Sequence, residues 1–126
     1  MKLVIAVAAG GAVGAVARYG VYLATGRLLG HGFPWATLIV NIGGCFLLGV
    51  LIELMALKWS VSPEIRAFLV LGVMGAFTTF SAFALDVAIL AERGVWIGAT
   101  LYIAASVALS IAAFVAGLRV LRVLLV

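Results

Sequence analysis

Long apolar runs alternate with short polar connections along the chain, and this pattern predicts four membrane-spanning helices. The runs extend over about residues 3–29, 35–57, 65–90 and 95–121. Each exceeds the roughly 20 apolar residues that an α-helix needs to cross the hydrocarbon core of a bilayer. No segment outside the runs is long enough to form a second domain. We therefore predict a single four-helix transmembrane domain over residues 1–126.

Residues in the connections mark where the helices end and begin. Trp35, Trp59 and Trp96 fall at predicted span ends, where aromatic side chains favour the membrane interface. Ser62 followed by Pro63 predicts a helix start, with serine as the N-cap and proline at the first helical position.

The composition is that of an integral membrane protein. Hydrophobic residues make up 67% of the chain and charged residues 10%, with a mean hydropathy of +1.40, whereas soluble domains are about 25% charged. The net charge of +4 is spread over the span ends, which indicates topology anchors and not nucleic-acid binding. The basic residues mildly favour cytoplasmic termini, and the small margin leaves insertion in both orientations open.

The third span differs from the others because hydroxyl groups cluster within an otherwise apolar helix. Their side chains compete with the helical hydrogen bonds, and nearby glycines loosen the same region. A continuous helix with outward hydroxyls would not account for this clustering with phenylalanine. We predict a break at membrane depth, where freed backbone groups must be buried, hydrated or bound to an ion. The residues are Gly72, Gly75, Thr78, Thr79 and Ser81, interleaved with Phe77, Phe80 and Phe83.

Polar residues also occur within the second and fourth spans, and such residues are functional candidates by default. Asn41 offers two N–H donors and a carbonyl acceptor, and a ligand contact and a helix-to-helix hydrogen bond are equally open for it. Tyr102, Ser106 and Ser110 stand four residues apart. On a helix they form one stripe of hydroxyl groups roughly 12 Å long.

The available groups favour a small anion as the ligand. Amides and hydroxyls are donors, and the edges of aromatic rings carry positive charge. Carboxylates that would attract a cation are scarce, although Asp86 follows the cluster and is a candidate vestibule group. Cys45 is the only cysteine and is interpreted as a packing thiol. No nucleophile–base pair or metal-ligand cluster appears, so the protein is not expected to be an enzyme.

The order and spacing of these motifs resemble the small bacterial fluoride channels of the Fluc or CrcB type. The likeness covers nearly the whole chain and rests on residues 11–19, 37–41 and 72–83, together with the hydroxyl stripe of the fourth span. It implies an all-α membrane protein that forms an antiparallel, dual-topology homodimer in the bacterial cytoplasmic membrane. Each subunit would have four transmembrane helices with the third broken mid-membrane, and each dimer two pores.

The resemblance also implies roles for individual residues. Carbonyl groups of Gly75 and Thr78 would bind a structural sodium ion at the dimer centre, and Arg18 and Asp86 are candidate vestibule residues. The implied fluoride pathway consists of Asn41, Phe80, Ser81, Phe83, Tyr102, Ser106 and Ser110.

The chain departs from the family pattern at three positions. Members usually have glycine where Ala76 stands, threonine where Ala82 stands and glutamate where Asp86 stands. These departures leave the break less backbone freedom, remove one hydroxyl and shorten one acidic side chain.

We therefore expect a passive, fluoride-selective channel that exports fluoride from the cytoplasm. The alternative is a small proton-coupled multidrug exporter, which needs a carboxylate deep in the bundle, and the first span has none. A packing subunit without transport is a third class, and it would leave the asparagine, phenylalanine and serine groups without a role.

Overall fold

A computed structural model describes residues 1–126, and all its regular structure is helical. Four segments are long and apolar enough to cross a membrane, the third of them comprising α3 and α4. The predicted all-helical architecture with four such segments is confirmed. The helices are α1 (Lys2–Leu29), α2 (Trp35–Leu57), α3 (residues 63–77), α4 (Phe80–Glu92) and α5 (Trp96–Leu125).

Local sequence signals account for most helix ends. The Ser62 hydroxyl accepts a hydrogen bond from the Ile65 amide at 3.3 Å, and Pro63 follows the cap, as predicted. Gly30 and Gly94 have φ angles of 75°, a conformation that glycine adopts without steric cost, and they end α1 and form the turn before α5. The last helix runs to Leu125, beyond the predicted end near residue 121.

The helical hydrogen bonding is interrupted between α3 and α4. Within α3, an α-helical first turn leads into a π-helix over Ala67–Met74 and a short α-helical end. Thr78 (φ −80°, ψ 155°) and Thr79 (φ −153°, ψ 114°) are extended, and α4 begins at Phe80. The interruption therefore lies within the cluster of hydroxyl residues.

Helices α1 and α3 form the first of two closely packed pairs. A side chain at Gly10 would collide with the Phe68 carbonyl oxygen, and one at Gly14 with the Val73 carbonyl oxygen. Small residues allow such backbone contact where lipid supplies no hydrophobic drive between helices. Gly10 and Gly14, which stand four residues apart on α1, thus serve packing within the subunit.

Helices α2 and α5 form the second pair, which is also joined through glycines. Gly49 faces the carbonyl group of Phe114, and Gly117 faces that of Phe46 in the opposite direction. Near the chain's C-terminal end, the Arg122 Nε donates to the buried Glu53 carboxylate at 2.5 Å. These contacts fix α2 against α5, while α4 lies against both at the edge of the subunit.

Close contact at Gly10 predicts that even one added methyl group destabilises the protein. In Gly10→Ala the new carbon atom would approach the Phe68 carbonyl and would lie 3.0 Å from the Gly72 Cα. Overpacking of this kind costs about 1–3 kcal/mol. The midpoint temperature of thermal unfolding in detergent should therefore be lower for Gly10→Ala than for the unaltered protein.

Its neighbour supplies the matched control, because a side chain at Gly11 would meet no atom of the subunit within 4 Å. Gly11→Ala should leave the midpoint unchanged or raise it, since alanine is the better helix former. Equal midpoints for the two variants would contradict the packing of α1 on α3.

Candidate functional site

A cleft of about 280 Å³ opens beside the interruption, between the α3–α4 junction, α2 and α5. It brings together five of the seven residues predicted for the pathway, although they come from three parts of the chain. They are Asn41 from α2, Phe80 and Phe83 from α4, and Ser106 and Ser110 from α5.

Asn41 holds the extended residue Thr79 through both ends of its amide. The Nδ2 donates to the Thr79 carbonyl at 2.9 Å, and the Oδ1 accepts from the Thr79 amide at 2.7 Å. In a continuous α-helix that amide would donate to the carbonyl of Gly75. Since a side-chain amide carries two hydrogens, one N–H of Asn41 stays free. Asn41 therefore links two helices and still has a donor at the cleft.

The Thr79 hydroxyl caps the first turn of α4. Its Oγ1 accepts from the Ala82 amide at 3.1 Å, and no backbone amide donates to the Thr78 carbonyl that would otherwise pair with Ala82. The carbonyls of Gly75 and Thr78 have therefore both lost their usual helical donors. Thr79 was not among the predicted site residues. A threonine directly before an apolar run is an N-cap signal that could have identified it.

Two serine hydroxyls in the cleft have no hydrogen-bond partner although they are buried, those of Ser106 and Ser110. A serine or threonine in a helix commonly donates to a carbonyl one turn back, as Thr100 does to Trp96 at 2.9 Å in the same helix. An unpaired buried hydroxyl costs about 1–3 kcal/mol. The cleft thus holds two buried hydroxyl donors that no group of the subunit satisfies.

Three aromatic rings continue the cleft toward one end of α4. Ring centroids of Phe80 and Phe83 are 5.4 Å apart with an interplanar angle of 51°, and those of Phe83 and Tyr102 are 5.3 Å apart at 42°. Phe83 is buried, whereas Phe80 is 78% exposed. Tilted rings present positively charged edges to their neighbours, so this wall of the cleft also suits an anion.

Tyr102 connects the hydroxyl stripe to a second pocket. It is completely buried, and its hydroxyl donates to the Asp86 Oδ2 at 2.9 Å. Asp86 lines a pocket of about 310 Å³ together with His31, Thr37 and Arg93. The acidic side chain therefore lies at a second opening beyond the aromatic wall, and its vestibule role stays a prediction.

The remaining predicted residues lie outside the cleft. Ser81 is exposed, and its hydroxyl is 3.3 Å from that of Thr79. Arg18 is partly exposed on α1 and makes no hydrogen bond or ion pair, since the one ion pair of the subunit joins Arg122 to Glu53. Cys45, for which the sequence indicates a packing thiol, lines the cleft.

Comparison with known proteins identifies relatives along almost the entire chain. The family model described as CrcB-like protein, Camphor Resistance (CrcB), matches residues 5–118. A fluoride-specific ion channel FluC from Rhodospirillum centenum is 53% identical over 122 residues, which cover 97% of both chains. The FluC of Rhizobium johnstonii is 54% identical over 95% of this chain and 96% of its own. FluC 1 of Nitrobacter hamburgensis is 49% identical over 96% of both.

The matched region contains the interruption between α3 and α4 and every residue of the cleft. The family resemblance drawn from the sequence motifs is thereby confirmed. With a family match over residues 5–118 and relatives near 50% identity over nearly full length, the chain belongs to the CrcB-like family.

Proposed function

We propose that this protein is a passive, fluoride-selective channel that exports fluoride across the bacterial cytoplasmic membrane. The observation that carries the proposal is the cleft that two buried, unpartnered serine hydroxyls line together with Asn41 and two phenylalanine rings. Similar proteins are named fluoride-specific ion channels, which is not an enzymatic activity.

The donor groups of the cleft are all neutral, and this suits an ion that must bind and then leave. An isolated ion at the centre of a bilayer costs tens of kcal/mol on Born estimates, so donors must replace its water. A fixed positive charge would hold a small anion too firmly, and no charged side chain lines this cleft. Neutral HF enters cells and dissociates inside, which traps fluoride and makes a passive exit useful.

A proton-coupled exporter fits the structure less well. Such a transporter needs a carboxylate that exchanges protons for a cation within the bundle. Glu53 is paired with Arg122, and Asp86 accepts the hydrogen bond of Tyr102 at the far end of the stripe. Neither carboxylate lines the cleft.

We further propose that two subunits pack in antiparallel orientation, so that each dimer has two pores. Phe80 is 78% exposed in a single subunit although it forms part of the cleft, and Gly75 beside the interruption is also exposed. A second copy would cover both residues and complete the wall of each cleft. The basic residues favour cytoplasmic termini only mildly, and this small margin leaves insertion in both orientations open.

A sodium ion at the dimer centre is the third part of the proposal. Backbone carbonyls of interrupted helices are suitable ligands for sodium, and those of Gly75 and Thr78 lack their helical donors here. No cluster of His, Cys, Asp or Glu side chains could hold a metal instead. The ion would be coordinated by these carbonyl oxygens where the two subunits meet and would replace their missing hydrogen-bond donors.

Flux from liposomes tests the proposed function directly. Purified protein should release fluoride orders of magnitude faster than chloride, without a proton gradient. Ion-selective electrodes measure both anions in the same preparation. Equal release of the two anions, or drug-driven proton movement, would contradict the proposal.

Removal of the Ser106 hydroxyl tests whether this group binds the ion or stabilises the fold, because the first role affects fluoride flux and the second the unfolding midpoint. Ser106→Ala should reduce fluoride flux by about tenfold or more, since a hydrogen bond to a charged group contributes about 1.5–3 kcal/mol and about 1.4 kcal/mol is a factor of ten. Without fluoride its unfolding midpoint should equal or exceed that of the unaltered protein, because no partner is lost. Ser60→Ala in an exposed connection is the control. A lowered midpoint with unchanged flux would refute the assignment.

The Thr79 hydroxyl should affect how strongly sodium stabilises the protein, because it leaves the Thr78 carbonyl without its helical donor. Thr79→Val removes the acceptor of the Ala82 amide, which can then return to the Thr78 carbonyl. Sodium should consequently raise the unfolding midpoint less than in the unaltered protein, and flux should need more sodium.

Thr100→Val is the matched control, because the Thr100 hydroxyl donates to the Trp96 carbonyl of its own helix and Thr100 does not line the cleft. Thermal unfolding with sodium, or with a larger organic cation in its place, measures the effect independently of flux. A Thr79→Val protein with the sodium response of the control would remove the proposed site.

A further inference from the structure

Cys45 lies on the face of α2 that is directed toward the cleft. It follows Asn41 by four residues and precedes Gly49 by four, so all three share one side of the helix. Asn41 reaches the junction at Thr79, and Gly49 contacts the α5 backbone at Phe114. Cys45 lies between these two contacts, is only partly buried and lines the cleft.

The surroundings of Cys45 differ from those of a packing thiol. Ser106, which is only 6% exposed, lines the same cleft, and its hydroxyl has no partner. The Ser110 hydroxyl there is likewise buried and unpaired. A cysteine in an apolar core would have no reason to share a space with unsatisfied polar groups. The thiol therefore lines a cleft that also holds two buried hydroxyls without a hydrogen-bond partner.

We propose that Cys45 is part of the ion pathway and that a small thiol-directed reagent entering the cleft blocks conduction there. Its S–H is a weak donor, and Cys45 lines the cleft together with Asn41 and Ser110. This inference rests on the proposed channel function and adds a residue and an inhibitor class to it. The inhibitor class is neutral, compact compounds with an electrophilic sulfur.

Methyl methanethiosulfonate is a suitable probe, because it is small and uncharged. The Cys45 sulfur, after loss of its proton to solvent, attacks the sulfenyl sulfur of the reagent. A mixed disulfide forms and methanesulfinate leaves, so the thiosulfonate itself supplies the oxidising equivalent. The methylthio group then occupies part of a cleft of about 280 Å³ beside the two serines.

The experiment uses the full chain reconstituted in liposomes, with flux expressed relative to each sample's untreated value. Cys45 is the only cysteine, so intact mass reports its labelling without ambiguity. Complete labelling should lower fluoride flux at least about tenfold, and dithiothreitol should restore it. Fluoride should slow the labelling, whereas chloride at equal concentration should not. The Cys45→Ala protein should show no response to the reagent.

A cysteine placed elsewhere on α2 controls for unspecific effects of the label. Leu47 is 47% exposed and does not line the cleft. In a Cys45→Ala background, Leu47→Cys should accept the label without loss of flux.

Three results would overturn the inference. The first is that the reagent does not label Cys45, and the second is that fully labelled protein keeps its fluoride flux. The third is that labelling a cysteine at position 47 lowers the flux as much as labelling Cys45. An untreated protein without fluoride flux would instead refute the proposed function, and the inference with it. The untreated sample therefore distinguishes the two failures.

Discussion

The paired hydrogen bonds between the Asn41 amide and the Thr79 backbone hold the rest of the site in position. They keep Thr79 extended, which ends α3, starts α4 and leaves the Gly75 carbonyl without its helical donor. Each bond contributes only about 0.5–1.5 kcal/mol net, yet the alternative of unpaired backbone groups in lipid is far worse. On the proposed function, one side chain thereby links an anion donor, a helix interruption and the carbonyls proposed to bind sodium.

That link depends on how closely the helices pack. Glycine contacts bring α1 onto α3 and α2 onto α5. These two helix contacts position Asn41 on α2 next to the interruption between α3 and α4. The same packing determines which hydroxyl groups have hydrogen-bond partners. Thr78 and Thr79 serve the backbone at the junction, whereas Ser106 and Ser110 have no partner and remain available to a ligand.

Most of the fold and part of the site could be predicted from the sequence. Apolar run lengths and caps such as Ser62-Pro63 are local, so helix bounds follow from them. The pairing of Asn41 with Thr79 joins residues 38 positions apart and depends on helix packing, which no local pattern encodes. For the same reason the sequence does not distinguish Ser81, which lies outside the cleft, from Thr79, or a cleft-lining Cys45 from a buried one.

The unpaired serines also link stability to occupancy. Any species that satisfies them binds the folded protein and not the unfolded chain, so by mass action it shifts the unfolding equilibrium toward the folded state. The protein with an empty cleft is thus less stable toward unfolding than the protein with a ligand bound there. On the proposed function, the channel would become more durable as its own substrate accumulates, which matches its lifetime to the demand for it.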